Sequence, residues 1–313
     1  MNGCNSRKSE NIGETTPDGA SDGPVEVMKK VKHILGDKTR GREVFRFETF
    51  GNEGFWKNAM RWQQGVLESR LTPKQLLEIG LQIDTEALDA NLQKKLEAEF
   101  KTDLSPGQAP LLNDYNTTIA LLNANAIIGV VAKDSDGDNR IEILKGDMIG
   151  VSCAICHTIT DKSVFDMPGA GSAGKRIDGP APLTFNMGRF LALAKNSRAY
   201  YPNMQQIFLG VSIGRAARGM RPNSTEEEID AYLSNPEFYP VGTFDETHDG
   251  NGNSVKNVPL FRQDLAGPYG SAGEFEFFDN ISNSSYSANL DMSTLATEEG
   301  REFLRQRGGP AGV

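Results

Sequence analysis

Cysteine and histidine are scarce in this chain, with three of each among 313 residues. Cys4 lies in a polar N-terminal stretch, while Cys153 and Cys156 are three positions apart, so the chain cannot form a long-range disulfide framework. A four-ligand structural zinc site is also hard to assemble, because only two histidines lie away from the cysteine pair. The chemistry of the thiols is therefore expected at one place, residues 153–157.

A long apolar run and an excess of positive charge are missing as well. The most apolar stretch, 119–132, is interrupted by Asn123, Asn125 and Gly129 and is shorter than the roughly 20 residues that span a bilayer. The 42 acidic residues outnumber the 33 basic ones and give a formal net charge of −9. This charge disfavours nucleic acids and anionic lipid surfaces as partners.

Residues 1–40 are predicted to be a disordered tether, because the run up to Gly23 is rich in Ser, Thr, Gly, Asp and Glu. Gly3-Cys4 at its start resembles the lipidation site of a bacterial lipoprotein, which would anchor the chain to a membrane through Cys4. The competing interpretation is an incidental thiol in a polar tail. The lipoprotein interpretation predicts an exported protein of the periplasm or cell envelope.

Apolar residues recur at helical spacing through most of the remaining chain, which predicts a mainly α fold. Thr72-Pro73 and the capping box that starts at Thr225 mark two helix starts. Further helices are predicted over 88–100, after a Thr85 cap, and over 119–130. We expect a helical extension over residues 41–131 and a second domain with long loops over 132–313.

Cys153, Cys156 and His157 form the sequence C-x-x-C-H, the attachment signature of c-type haem. Two thiols one helical turn apart can bond to the two vinyl groups on one porphyrin edge, while the adjacent imidazole ligates the iron. The alternatives are a redox-active C-x-x-C pair and half of a zinc site. We predict one covalent haem c with His157 as proximal ligand, and a cytochrome c-like haem domain over 132–313.

The motif does not identify the second axial ligand of the iron. Electron-transfer haems commonly take a methionine sulfur or a second histidine on the far face. A methionine in a helical pattern is more often a core residue than a ligand, and one just before the motif is expected on the wrong face. The candidates are Met148, Met167, Met187, Met204, Met220, Met292, His33 and His248.

Five stretches resemble a largely uncharacterised family of bacterial single-haem cytochrome c proteins. They are residues 41–47, 49–56, 150–157, 176–179 and 288–292, and the resemblance runs from about Gly41 to the end of the chain. It implies that the methionine of an Asn-Leu-acid-Met run is the distal ligand, and Met292 matches that position. The chain departs from the family with Ser293-Thr294 in place of His-Gly and with an inserted loop around Met167, so Met167 and His248 stay alternatives.

The same resemblance implies a role for Arg176, in the loop after the haem motif. An arginine there is expected to hold a haem propionate by a charge-assisted contact, and the alternative is an ordinary surface arginine.

A calcium loop is a separate prediction. Asp134, Asp136 and Asp138 alternate like the first ligands of such a loop, with Glu142 further on, although Lys145 occupies the place of the bidentate glutamate. The alternative is a solvated acidic turn.

These features together predict a carrier rather than an enzyme: a haem with both axial positions filled would pass single electrons to a redox partner protein. Because the chain is acidic, the partner is expected to have a basic docking face. The alternative is a haem enzyme or a gas or redox sensor with an open distal site. A third interpretation makes the chain a subunit docked in a larger periplasmic complex.

Overall fold

The structure is a computed structural model that describes residues 36–200, 223–246, 254–261, 267–269 and 275–308. The chain divides into residues 1–37 and a compact unit over residues 38–313. The predicted division of the latter at residues 131 and 132 stays a prediction. Cys4 lies outside the described residues, so its proposed lipid anchor also stays a prediction.

Ten α-helices occur within the described ranges, and most are short. They are α1 (Lys38–Phe47), α2 (Trp62–Ser69), α3 (Pro73–Glu78), α4 (Ala90–Glu99), α5 (Tyr115–Asn123), α6 (Ala154–His157), α7 (Met187–Leu191), α8 (Glu226–Ser234), α9 (Phe278–Ser285) and α10 (Glu298–Gly308). Among these helices, none is long and apolar enough to cross a membrane. The described ranges also include two π-helical turns, Phe55–Ala59 and Tyr286–Leu290, and a 3-10 turn, Met292–Ala296.

Nine short strands form four small sheets in the same ranges. They are β1 (Gln82–Asp84), β2 (Val130–Lys133), β3 (Met148–Val151), β4 (Thr158–Thr160), β5 (Phe165–Asp166), β6 (Ser172–Gly174), β7 (Arg176–Asp178), β8 (Thr243–Glu246) and β9 (Ser254–Lys256). Strand β6 pairs in parallel with β1 and antiparallel with β5. The other three sheets are antiparallel pairs, β2 with β3, β4 with β7 and β8 with β9.

The expectation of a mainly α, cytochrome c-like fold was wrong. Helices and small sheets are mixed along the described chain, and strands β3 and β4 flank the C-x-x-C-H motif. Strands β2 and β3 are almost entirely buried, so their residues do not alternate between apolar and polar. A buried run of four apolar residues cannot be distinguished from a helix segment by its periodicity. The helix predicted over 119–130 therefore ran past the real end of α5.

Local capping signals were more reliable than periodicity. Thr72 and Thr225 both form capping boxes, at the starts of α3 and α8, as predicted. Thr85 was wrong as the cap of the next helix: it begins a 3-10 turn, and Asp89 caps α4 by accepting the N–H groups of two following residues.

The two buried tryptophans, Trp56 and Trp62, pack against Phe190. The ring centroids of Trp62 and Trp56 lie 4.6 and 5.8 Å from that of Phe190. Both indole N–H groups are satisfied inside the core, because Trp62 donates to the Phe190 carbonyl at 2.8 Å and Trp56 donates to the Leu290 carbonyl at 2.9 Å. The second bond ties the Tyr286–Leu290 turn to the Phe55–Ala59 turn.

Candidate haem-attachment site

The C-x-x-C-H residues form one helical turn, α6 with Cys153 immediately before it. Strand β3 leads into this turn, and β4 follows it at once, so the motif lies between two strands of different sheets. Gly129, which has φ +82°, packs directly against Ile155: a Cβ at this glycine would lie 2.2 Å from the Ile155 Cα. Glycine is therefore required at position 129 both by its backbone conformation and by the closeness of α6.

The two thiols lie inside the protein surface. Cys156 is 5% exposed, Cys153 is partly buried, and both are in the thiol form. Burial raises the pKa of the Cys153 thiol. In a redox-active C-x-x-C pair the attacking cysteine has a lowered pKa, so this environment does not favour the disulfide-exchange alternative.

The zinc alternative also lacks ligands in the part of the chain that the structure describes. There, metal-ligating side chains converge in groups of three or more only at Asp134, Asp136 and Asp138. No described carboxylate or histidine therefore joins the two cysteines and His157 around one ion, as a structural zinc site requires.

His157 has the state that an iron ligand needs. Its Nδ1 lies 3.1 Å from the Val258 carbonyl oxygen. Because a carbonyl oxygen can only accept, Nδ1 carries the proton and Nε2 keeps its lone pair. Burial lowers the pKa of His157 to about 4, although the hydrogen bond to Val258 acts in the opposite direction. The imidazole is therefore neutral at physiological pH, as ligation requires.

Residues 257–260 cross over the motif and are called the strap here. The Asn257 side-chain amide donates to the Cys156 carbonyl, and the Leu260 N–H donates to the Gly179 carbonyl at 2.8 Å. Gly179 in turn donates its N–H to the His157 carbonyl at 2.7 Å. The sequence analysis missed the strap, because the strap contacts the imidazole through a backbone carbonyl 101 residues away. Every residue type has this carbonyl, so the sequence does not show which one binds the histidine.

Arg176 is buried, so the alternative of an ordinary surface arginine was wrong. Its side chain is 3% exposed and donates to Asp84 at 2.5 Å and to the Asn125 carbonyl at 2.6 Å. The guanidinium lies 4.8 Å above the ring of Phe47. Its Nη1 is also buried, and no acceptor among the described residues is within hydrogen-bond reach.

An N–H group left without an acceptor in the interior is costly, which makes Nη1 a fit for an acidic ligand group. The pairing of β7 with β4 places Arg176 opposite Thr160, three residues after His157. A haem propionate is a carboxylate, so the arginine and the motif fit the same cofactor.

Met292 is buried, 5% exposed, and opens a 3-10 turn that Asp291 caps. This turn packs against α10 and against the Phe55–Ala59 turn. The Phe55–Ala59 turn also packs against β3, the strand that leads into the motif. The Met292 turn and the strand that leads into the motif thus share one packing neighbour, and distal ligation by Met292 stays a prediction.

The other candidate ligands fall into two groups. Met187 belongs to the buried core, Met148 lies in β3, and Met167 is partly buried against the core. The remaining candidates, Met204, Met220, His33 and His248, lie outside the described residues.

The structure brings the three aspartates of the acidic loop together. One carboxylate oxygen from each of Asp134, Asp136 and Asp138 lies within 4.8 Å of the others, and all three residues are exposed. Hydrogen bonds from the loop backbone, chiefly the Gly137 N–H, lower the pKa of Asp134. Glu142 is not in this group, and its carboxylate pairs with Lys145 at 2.8 Å. Calcium binding stays a prediction.

A buried aspartate that the sequence analysis missed holds this loop in place. Asp147, 5% exposed, accepts the backbone N–H groups of Ser135 and Glu142, each at 2.7 Å. A single carboxylate thus ties both ends of the acidic loop to the strand that leads into the motif.

Comparison of the chain with models of protein families, with curated proteins and with solved structures finds no match. The resemblance to single-haem cytochromes therefore stays a prediction from the motifs.

Proposed function

We propose that the protein is an exported carrier of single electrons, with one haem c bonded to Cys153 and Cys156 and ligated by His157. The observation that supports this most is the state of His157. Its imidazole is partly buried and neutral, donates its N–H proton to the Val258 carbonyl, and keeps the Nε2 lone pair available beside two thiols on one helical turn.

A bound haem would supply an iron that alternates between ferric and ferrous states. The chain itself would hold the ligands in fixed orientations. Val258 fixes the tautomer and the ring orientation of His157, and the strap closes over the backbone of the motif. Arg176 would neutralise a propionate through Nη1, and the thioether of Met292 would favour ferrous iron.

Export is part of the proposal because thioether attachment of haem c takes place outside the cytoplasm, in agreement with the lipid anchor predicted at Cys4. The proposed location is the periplasm or the outer face of a cell-envelope membrane.

Haem attachment can be tested by producing the exported protein in cells that attach haem c. We expect one haem per chain that survives a denaturing gel. The C153S/C156S double variant should lose it, whereas C4S, the same substitution at the third cysteine, should keep it. A wild-type chain without covalent haem would contradict the proposal.

Axial ligation can be tested by absorption spectra of both oxidation states, with and without carbon monoxide and cyanide. A carrier should be low-spin, show the methionine-to-iron charge-transfer band and bind neither ligand. Met292→Leu keeps the side-chain volume and should abolish the band, whereas Met187→Leu, at another buried methionine, should leave it. A high-spin spectrum that shifts with carbon monoxide would overturn the carrier and favour the open-site alternative.

A further inference from the structure

The strand that leads into the haem motif is paired with another strand along one edge and with side-chain amides along the other. Within the described ranges, β3 pairs only with β2. On its other edge, the buried Gln63 accepts the Ile149 N–H at 3.2 Å and donates to the Asp147 carbonyl at 2.8 Å. Backbone groups on this edge are therefore satisfied by side chains instead of by a further strand.

Asn52 binds the last residue of the strand in the same way, with both ends of its amide. Its Nδ2 donates to the Val151 carbonyl at 2.7 Å, and its Oδ1 accepts the Val151 N–H at 3.0 Å. Asn52 is 0% exposed and Val151 is 1% exposed. Loss of this amide would leave a buried donor and a buried acceptor without partners unless the end of β3 moves.

The turn before Asn52 and a glycine of β3 are both shaped for this contact. The Asn52 N–H donates to the Thr49 carbonyl at 3.1 Å, and the residues between them, Phe50 and Gly51, have φ 52° and 86°. Opposite the amide, a Cβ at Gly150 would lie 2.5 Å from the Asn52 Oδ1. A side chain at position 150 would thus push the asparagine off the strand.

The two ends of the haem motif are held by different groups. At the C-terminal end, the strap binds the Cys156 carbonyl and the His157 ring. At the N-terminal end, Asn52 holds Val151, two positions before Cys153. A change at Asn52 should therefore move the first thiol and leave the second thiol and the imidazole in place.

Ser152 keeps the chain attached when Asn52 is replaced. Its N–H donates to the Gly129 carbonyl at 3.0 Å, and its hydroxyl donates to the Arg46 carbonyl at 2.8 Å. The expected result is therefore a displaced Cys153 rather than an unfolded motif.

We propose that Asn52 is the positioning residue for the Cys153 thiol in haem attachment; the inference rests on the proposed function. A thioether forms when a thiol S–H adds across a vinyl group of the haem. Sulfur bonds to the carbon next to the ring, and hydrogen goes to the terminal carbon, so no atom is released and no oxidant is consumed. A displacement of about 1 Å can slow such a reaction by about 100-fold, so Cys153 should fail to react while Cys156 still does.

The test compares the exported wild type with Asn52→Ala and Gln63→Ala, all produced in cells that attach haem c. Gln63→Ala is the matched control, because it removes an amide from the same edge of β3, where it binds Ile149, four positions before Cys153. Alkylation of the denatured chains and mass spectrometry of the motif peptide identify the free thiols. Far-ultraviolet circular dichroism checks that the variants are folded.

We expect Asn52→Ala to raise the fraction of haem-bearing chains with a free Cys153 thiol by about tenfold, with Cys156 still bonded. Gln63→Ala should stay within about twofold of the wild type. The absorption spectrum of the reduced pyridine complex is a second measurement, because its α band moves to longer wavelength when one vinyl group has not reacted.

Gly150→Ala displaces the Asn52 amide without removing it, and it replaces Asn52→Ala in the test if that variant does not fold. It should also raise the free Cys153 fraction. The double variant N52A/G150A should have no larger fraction than Asn52→Ala alone, because both substitutions break the same contact.

Equal free-thiol fractions in Asn52→Ala and Gln63→Ala would overturn the positioning role. Loss of the Cys153 and Cys156 bonds together would also overturn it, since a general loss of structure affects both thiols. A wild-type chain without covalent haem is a different result, which contradicts the proposed function and the positioning role with it.

Discussion

Substitution of Gly129 by Ala tests how closely α6 is held against the rest of the protein. Gly129 and Gly137 have nearly the same backbone conformation, with φ +82° and +81°. A Cβ at Gly137 meets nothing within 4 Å, whereas one at Gly129 would lie 2.2 Å from the Ile155 Cα. Gly137→Ala is therefore a matched control for the backbone strain alone.

The expected costs follow from this comparison. An alanine in the left-handed region costs about 1 kcal/mol of unfolding free energy, and this part is common to both variants. At position 129, the backbone of α6 must also shift by about 1 Å to reach an ordinary contact distance, and overpacking of this kind costs about 1–3 kcal/mol more. Gly129→Ala should thus lose about 2–4 kcal/mol, against about 1 kcal/mol for Gly137→Ala.

Urea unfolding followed by far-ultraviolet circular dichroism measures both changes in free energy. The ratio of haem to protein in the exported chain measures how well the two cysteines still bind haem. This ratio should fall only for Gly129→Ala, because only this substitution displaces Ile155, which lies between the two cysteines. Equal losses of stability in the two variants, or a full haem content in Gly129→Ala, would show that α6 is not packed against Gly129.

Three further predictions concern the polar side chains Arg176, His157 and Asp147. Arg176→Met should cost about 3–5 kcal/mol of unfolding free energy, because Asp84 stays buried without its partner, and the D84L/R176M double variant should lose less. In the haem-free chain, stability should fall by about 3 kcal/mol between pH 6.5 and pH 4, because the unfolded chain takes up a proton at His157 and the folded chain does not. Asp147→Asn should weaken any calcium binding measured by titration calorimetry, because Asp147 ties both ends of the acidic loop.

Each of these expectations has a result that contradicts it. A double variant that loses as much stability as the sum of its two single variants would mean that Asp84 and Arg176 are not coupled. A His157→Gln chain with the same loss of stability on acidification would assign the proton uptake to other groups. Absence of calcium binding to the wild-type protein would leave Asp147 a structural residue and the acidic loop a solvated turn.

The parts of the structure that the sequence predicts correctly depend on neighbouring residues. A capping box is satisfied within four positions, so the helix starts at Thr72 and Thr225 could be read directly. The meeting of Asp134, Asp136 and Asp138 is equally local, because one turn of five residues brings the three carboxylates together.

The partners of the motif could not be predicted in this way. The acceptor for His157 is a carbonyl on the strap, and the acceptor for Arg176 is the carboxylate of Asp84, 92 positions earlier in the chain. Every residue has a backbone carbonyl, so residue type does not show which carbonyl accepts a hydrogen bond. Residue type likewise does not show whether an aspartate is buried or exposed. Only the three-dimensional pairing of β4 with β7 and the closure of the strap select these groups.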